Sequence, residues 1–197
     1  MYIDGTARPL PHAPVRLDLH DWQRQSRDLP ITAATMPEPT AIRVRAAQAD
    51  DLTNLVAWNA AMAWETEHKR LDPDTLTRGV AAALSDPGRG RYFVAERAGT
   101  AVGSLLITTE WSDWRCADWW WIQSVYVDPE HRRTGVFQAL YQHVEALART
   151  NGEVCGLRLY VEKDNGGAQA TYGRLGMRDA GYYMFEASLP GRFDPSR

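Results

Sequence analysis

The sequence predicts one α/β domain, a sandwich of helices around a mixed sheet. Three observations lead there. From residue 41 onward, short β-type runs alternate with helical periods, the pattern of strands joined by crossover helices. The chain has 197 residues, enough for one well-packed domain and short for two. Its 44% hydrophobic and 24% charged content is ordinary for a soluble globular protein.

The elements follow in order. Six of the eleven prolines fall in the first 39 residues, where apolar periodicity is weak and only Val15 to Arg27 suits a short helix. Residues 1–40 therefore read as an N-terminal extension, loosely ordered or packed on the domain, with Met36 offering an alternative start. The domain spans residues 41–190, with a tail at 191–197. A strand over Ala41–Arg45 opens it. Asp50 or Asp51 then caps a helix whose one face carries Leu52, Leu55, Val56, Asn59 and Met62. A second helix runs from Asp74 to about Leu84, where Asp86-Pro87-Gly88 stops it. Strands at Tyr92–Glu96 and Val102–Thr109 are joined through Ala98-Gly99-Thr100, and another spans Trp119–Val127. Simple alternation places Trp119 and Trp121 on one face with Gln123, Val125 and Val127, and Trp120 on the other with Ile122 and Ser124. A long helix ends at Thr150. A strand at Gly156–Glu162, a helix from Asn165 to Leu175 and a last strand at Tyr182–Ala187 complete the pattern.

Several function classes are disfavoured. A net charge of −3 is unlike a general nucleic-acid binder, which is normally basic. No apolar run approaches the roughly 18 residues that cross a membrane, and the N-terminus lacks a signal-peptide layout. Cys116 and Cys155 have no metal-ligand spacing, so no metal is expected, and two cysteines make no disulfide framework. A cytoplasmic location is the default expectation.

The chemistry begins at residues 125–137. Here the β-type run Val125-Tyr126-Val127 breaks at Pro129, passes Arg132, Arg133, Thr134 and Gly135, and becomes a helix. Val136, Phe137, Leu140, Tyr141, Val144, Leu147 and Ala148 set that helix's apolar period. A helix start leaves four amides without intrahelical partners and carries roughly half a positive charge. Gly135 has no Cβ to block a close approach, and the two arginines can bond phosphate oxygens. The segment suits a diphosphate; an ordinary turn with solvated arginines is the alternative. Neither the P-loop pattern nor the dinucleotide glycine pattern is present. A second cluster follows, because Asn165, Ala168, Tyr172 and Leu175 share one helical face.

Taken together, Val127-x-Pro129-x-x-Arg132-x-x-Gly135 and Asn165-x-x-Ala168-x-x-x-Tyr172-x-x-Leu175-Gly176-Met177 resemble the GNAT superfamily of acetyl-CoA-dependent N-acetyltransferases. Ile42-Arg43-Val44-Arg45-Ala46-x-x-x-Asp50 resembles that family's opening, and the likeness covers about residues 41 to 188. It implies a GNAT-like mixed, mostly antiparallel twisted sheet flanked by helices. It also implies acetyl-CoA as acyl-donor cosubstrate and no metal. The backbone of Val125, Tyr126 and Val127 would pair with the pantetheine arm. Residues Arg132, Arg133, Thr134, Gly135, Val136 and Phe137 would hold the pyrophosphate. Asn165 would hydrogen-bond near the pantetheine or thioester end, and Tyr172 would protonate the departing thiolate. Phe137 departs from the family's usual Gly or Ala, so its ring must turn into the core.

Proton accounting shapes the rest. An alkyl ammonium with pKa about 10.4 is neutral in roughly one molecule per few thousand at pH 7, a handicap of about 4–5 kcal/mol. A base or water relay must therefore deprotonate the amine. Candidate carboxylates are Glu65 and Glu67 after the first helix, and Glu110 and Asp113 at the hairpin tip; Glu67 and Glu110 are the named bases. Gln123 and Ser124 could hold a water. Five of the eight tryptophans lie between Trp111 and Trp121. Of these, Trp111 and Trp114, in a loop beside Glu110 and Asp113, suit a cation-binding wall. Direct attack makes Cys116 or Cys155 unnecessary as acyl carriers. The leading expectation is acetyl transfer to a small cationic amine. Transfer to a peptide or protein amine, and a non-catalytic acyl-CoA sensor, remain the alternatives. A homodimer is compatible with all three.

Overall fold

The structure is a computed structural model that describes residues 41–187 and 189. Expectations for residues 1–40 and for the tail at 191–197 lie outside the described residues.

Five strands form one sheet in the order β1-β2-β3-β4-β5: Ile42–Ala46, Arg91–Arg97, Thr100–Ser112, Ala117–Val127 and Val154–Arg158. The first four are antiparallel and β4 pairs with β5 in parallel. The four α-helices are α1 (Leu52–Glu67), α2 (Pro73–Ser85), α3 (Val136–Thr150) and α4 (Gly166–Arg174). The parallel pair follows from topology, since α3 is the crossover that returns the chain to the β4 edge. None of the described helices is long and apolar enough to cross a membrane.

The sheet has a core on each face. Beneath α3, Val136, Leu140, Val144 and Ala148 pack on Phe93, Ala95, Leu105, Ile107, Trp120 and Ile122. On the other face Leu55 of α1 and Val80 of α2 pack on Tyr92 and Val94. Each fully buried Leu or Ile contributes about 1.5–3 kcal/mol. The helical period Val136-Leu140-Val144-Ala148 is therefore what seats α3, and the turn before it, at a fixed depth.

One irregularity positions the site. Across β3 and β4, Leu106 pairs with Ser124 and Ile107 with Ile122, so Gln123 is an extra residue in β4. Beyond that bulge the alternation reverses. Val125 and Val127 pack with Trp120 and Ile122 under α3, not with Trp119 and Trp121 as strict alternation had them. A one-residue shift flips every later side chain to the other face.

Four further boundaries differ from expectation. Helix α1 runs through Glu67 and stops at His68, whose φ is 54°, so Glu65 and Glu67 sit in its last turn and not after it. Nothing between Met62 and Glu67 breaks a helix. Strand β3 extends to Ser112, which pairs Glu110 with Trp119 and Trp111 with Asp118 and leaves only Asp113–Cys116 as the turn. Strand β5 ends at Arg158 rather than Glu162, because its partner β4 bends away at the bulge. Residues 182–187 form no strand; Tyr182, Tyr183, Met184 and Phe185 are exposed. Aromatic β propensity needs a neighbouring strand to become structure.

Candidate active site

The turn from β4 to α3 is built to stay open. Asp128 ends the strand, its amide donating to the Val102 carbonyl at 3.0 Å. Pro129 and Asp128 start one turn of 3-10 helix, with the Asp128 side chain accepting from Glu130 N–H at 3.1 Å. Two left-handed residues follow, Arg133 at φ 61° and Gly135 at φ 90°. Left-handed residues in such a turn can aim neighbouring amides at one point, as in an anion-binding nest. Among the described residues, the six amides from Arg133 to Gln138 have no hydrogen-bond acceptor; the first bond of α3 is Ala139 N–H to Gly135 carbonyl at 2.9 Å. No side chain caps this helix. A left-handed arginine is strained by about 1–2 kcal/mol.

Close packing fixes the turn from below. A Cβ on Gly103 would lie 2.7 Å from the Tyr126 carbonyl and 3.2 Å from Val136 Cγ1, so only glycine lets β3 pass under it. Arg97 braces the turn from the side, its Nη2 donating to the Thr134 carbonyl at 3.2 Å.

The amides face a cavity of about 800 Å³. Its walls join the two motifs: Val125, Tyr126, Val127 and residues 131–133 and 135–138 on one side, and Ala168, Thr171, Tyr172 and Leu175 of α4 on the other. The Phe137 ring turns toward the core beneath α3 and meets Tyr172 edge-on at 5.7 Å, so the two motifs touch through the dissonant residue itself. Burial raises the Tyr172 phenol above its ordinary value. Asn165 is the N-cap of α4, its Oδ1 accepting from Ala168 N–H at 3.0 Å, which leaves its Nδ2 for another partner. Arg174 and Met62 also line the cavity and were not foreseen. Arg174 lies seven residues after Gly167 on the same helical stripe, a spacing that could have found it.

β4 and β5 part at this place. Their last pair is Trp121–Arg158, after which β4 continues with β3 alone. Because Asp128 bonds toward β3, alternation turns the peptide groups of Val125 and Val127 to the open edge. There the Val127 carbonyl already accepts from Arg132 Nε at 3.0 Å. A side-chain bond spans the opening, Gln123 Nε2 donating to the Tyr160 hydroxyl at 2.9 Å. Burial, then the charges of Glu67 and Glu186, raise the Tyr160 phenol.

The predicted acceptor residues scatter. Glu65 lines the cavity and pairs with Arg132 at 2.6 Å. Glu67 is exposed and paired with Lys69 at 2.6 Å, with its charge reaching Tyr160. Glu110 accepts from the Trp121 indole N–H and from Arg158 Nη1, and these bonds hold its carboxyl below the usual range. Trp111 and Trp114 are 57% and 87% exposed, and Asp113 accepts from the Trp114 amide. Further along the run the indole faces hold internal cations: Arg158 lies 4.1 and 5.9 Å from the centres of Trp119 and Trp121, and Arg91 lies 4.2 Å from that of Trp120. Trp119 reaches that position because Gly156 has no Cβ, which would lie 2.5 Å from its ring. Cys116 and Cys155 are exposed free thiols, and the described residues hold no cluster of metal-ligand type.

The chain is similar to known proteins. A family model described as the acetyltransferase (GNAT) family matches residues 48–177. A mycothiol acetyltransferase of Mycolicibacterium gilvum is 31% identical over 180 residues, covering 87% of this chain and 55% of the relative. The chain thus spans about half the length of the curated relatives it matches. Among solved structures, a protein described as "a possible acetyltransferase" from Clostridium difficile 630 is 43% identical with a TM-score of 0.71, over 75% of this chain and 97% of that one. An aminoglycoside N-acetyltransferase in complex with CoA shares the fold at a TM-score of 0.63 and 16% identity, over 78% of this chain and 99% of that one.

Proposed function

This chain belongs to the acetyltransferase (GNAT) family, and from that premise we propose that it moves an acetyl group from acetyl-CoA to a primary amine on a small molecule. One observation carries the reading: the uncapped start of α3, with its six free amides, opens on the same cavity as the Tyr172 hydroxyl. An uncapped helix start is a ready anion site, so the donor's pyrophosphate seats there. Its amide-bearing arm lies along the open edge of β4, beside Val125 and Val127.

The reaction is a direct displacement. A neutral amine nitrogen attacks the thioester carbonyl carbon, the carbon–sulfur bond breaks, and the Tyr172 hydroxyl gives its proton to the departing thiolate. The raised phenol keeps that proton until sulfur needs it. The amine's own proton leaves to a base or a water on the acceptor side. Glu67, in an exposed pair with Lys69, suits that role better than Glu110, which holds both Arg158 and the Trp121 indole. Glu67 and Glu186 make the mouth beside Tyr160 negative, which favours an ammonium-bearing acceptor. The names of the relatives, for mycothiol and for aminoglycosides, support an acceptor of small-molecule size.

Thiol release from acetyl-CoA across a panel of amines tests the whole reading. Tyr172→Phe should lower kcat by about 10²–10³-fold while leaving the Kd for CoA unchanged. Undiminished turnover in that variant removes the acid role. CoA binding without release on any amine supports the sensor, and turnover confined to peptide amines supports a protein acceptor.

A further inference from the structure

The cavity is walled by free amides and by His131, Arg132, Arg133 and Arg174, yet one carboxylate stands among them. Glu65, from the last turn of α1, holds Arg132 Nη2 at 2.6 Å through one oxygen and accepts from the Tyr126 hydroxyl at 3.2 Å through the other. Arg132 also donates from Nε to the Val127 carbonyl and lies 5.5 Å from the centre of the Tyr126 ring. That ring stacks on Trp58 of α1 at 6.3 Å. The guanidinium is therefore spent on α1 and on the strand edge, away from the open amides of its own turn. Arg132 and Glu65 side chains are 42% and 39% exposed, the setting in which an ion pair contributes little and exchanges readily. A guanidinium fork fits phosphate as well as carboxylate, and two anions on one side of it repel.

Resting on the acetyl-CoA reading above, we propose that Glu65 is the resident counter-ion of Arg132, displaced by the donor's pyrophosphate, and that this exchange releases the end of α1 that carries Glu67. Glu67 follows Glu65 by two residues in the same helical turn, so release of that turn also frees the carboxylate proposed for the acceptor side. A donor without phosphates leaves Arg132 with Glu65, so the same pair makes the enzyme select for the nucleotide half of the donor.

Glu65→Gln keeps the shape and the Tyr126 contact while removing the competing charge. Titration calorimetry should show CoA bound about tenfold tighter in this variant, a change of about 1.4 kcal/mol, with pantetheine affinity unaltered. In the wild type, amide exchange over residues 60–67 should rise when CoA is added and stay level with pantetheine. In Glu65→Gln it should be raised before any addition. Arg132→Gln should show the same raised exchange together with weaker CoA binding. Unchanged or weaker CoA affinity in Glu65→Gln overturns the exchange, as does α1 protection that CoA leaves unmoved. A wild type that fails to bind CoA removes the donor reading itself, a result distinct from CoA binding that Glu65→Gln does not improve.

Discussion

Helices α3 and α4 begin in opposite ways. The first turn of α4 is closed by Asn165, whose side chain accepts the Ala168 amide, just as Asp72 closes α2 through the Thr75 amide. The first turn of α3 has no cap, two left-handed residues and six amides without acceptors. A side-chain cap is worth about 1 kcal/mol, and a strained arginine costs a comparable amount. At α3 the fold goes without the cap and accepts the strain where cations and a cavity coincide. A helix end left unsatisfied beside a cavity is thus a better guide to a ligand than either the helix or the cavity alone.

Supplying α3 with its own anion should break this contrast most sharply. Thr134→Asp puts a carboxylate at the turn. At an effective dielectric near 20, two charges about 5 Å apart repel by about 3 kcal/mol, so CoA affinity should fall about 100-fold by calorimetry. The melting temperature should hold or rise, because an acid suits a helix N-terminus. Retained CoA affinity would move the phosphate seat elsewhere.

Gly135→Ala comes next. A Cβ there meets only Ile42 at 3.9 Å, so its effect is backbone strain at φ 90° and not a clash. About 1–2 kcal/mol should lower the melting temperature by about 5 °C, read by thermal denaturation.

The cap of α4 separates two roles of one residue. Asn165→Ala should lower the melting temperature by about 3 °C, matching about 1 kcal/mol. Asn165→Asp keeps the capping oxygen but replaces the Nδ2 donor with a charged carboxylate oxygen. Its melting temperature should stay at the wild-type value while CoA affinity weakens several-fold. Equal CoA affinity in the Asp variant would leave Asn165 as a cap alone.

The smallest effect belongs to Asp72, at the start of α2. Bonds from the Thr75 hydroxyl and amide lower its pKa. A carboxyl depressed by folding adds stability above its unfolded pKa and loses it as pH falls through the folded value. Asp72→Ala should therefore melt slightly below the wild type at neutral pH. The gap should close as pH falls through the folded value, and CoA binding should not change at any pH.

The legible parts of this molecule are local ones. The strand-to-helix turn at residues 125–137 and the face shared by Asn165 and Tyr172 follow from spacing, because a period of 3.6 and a broken strand are written within a dozen residues. The aromatic run after Glu110 divides: Trp111 and Trp114, expected as a wall for an external cation, are exposed, while Trp119 and Trp121 hold Arg158, which arrives from β5 only when the sheet forms. The strand expected at 182–187 failed because propensity does not supply a neighbour.

By itself, the sequence determined the alternation of elements, the buried face of α3 and the open helix start. Each depends on residues close together along the chain. Tertiary structure decided that Gln123 bulges and reverses the faces of β4, that β5 parts from β4 after Arg158, and that Glu65 meets Arg132. These depend on register and on contacts between residues dozens of positions apart, and such contacts are settled only when the sheet and α1 close on one another.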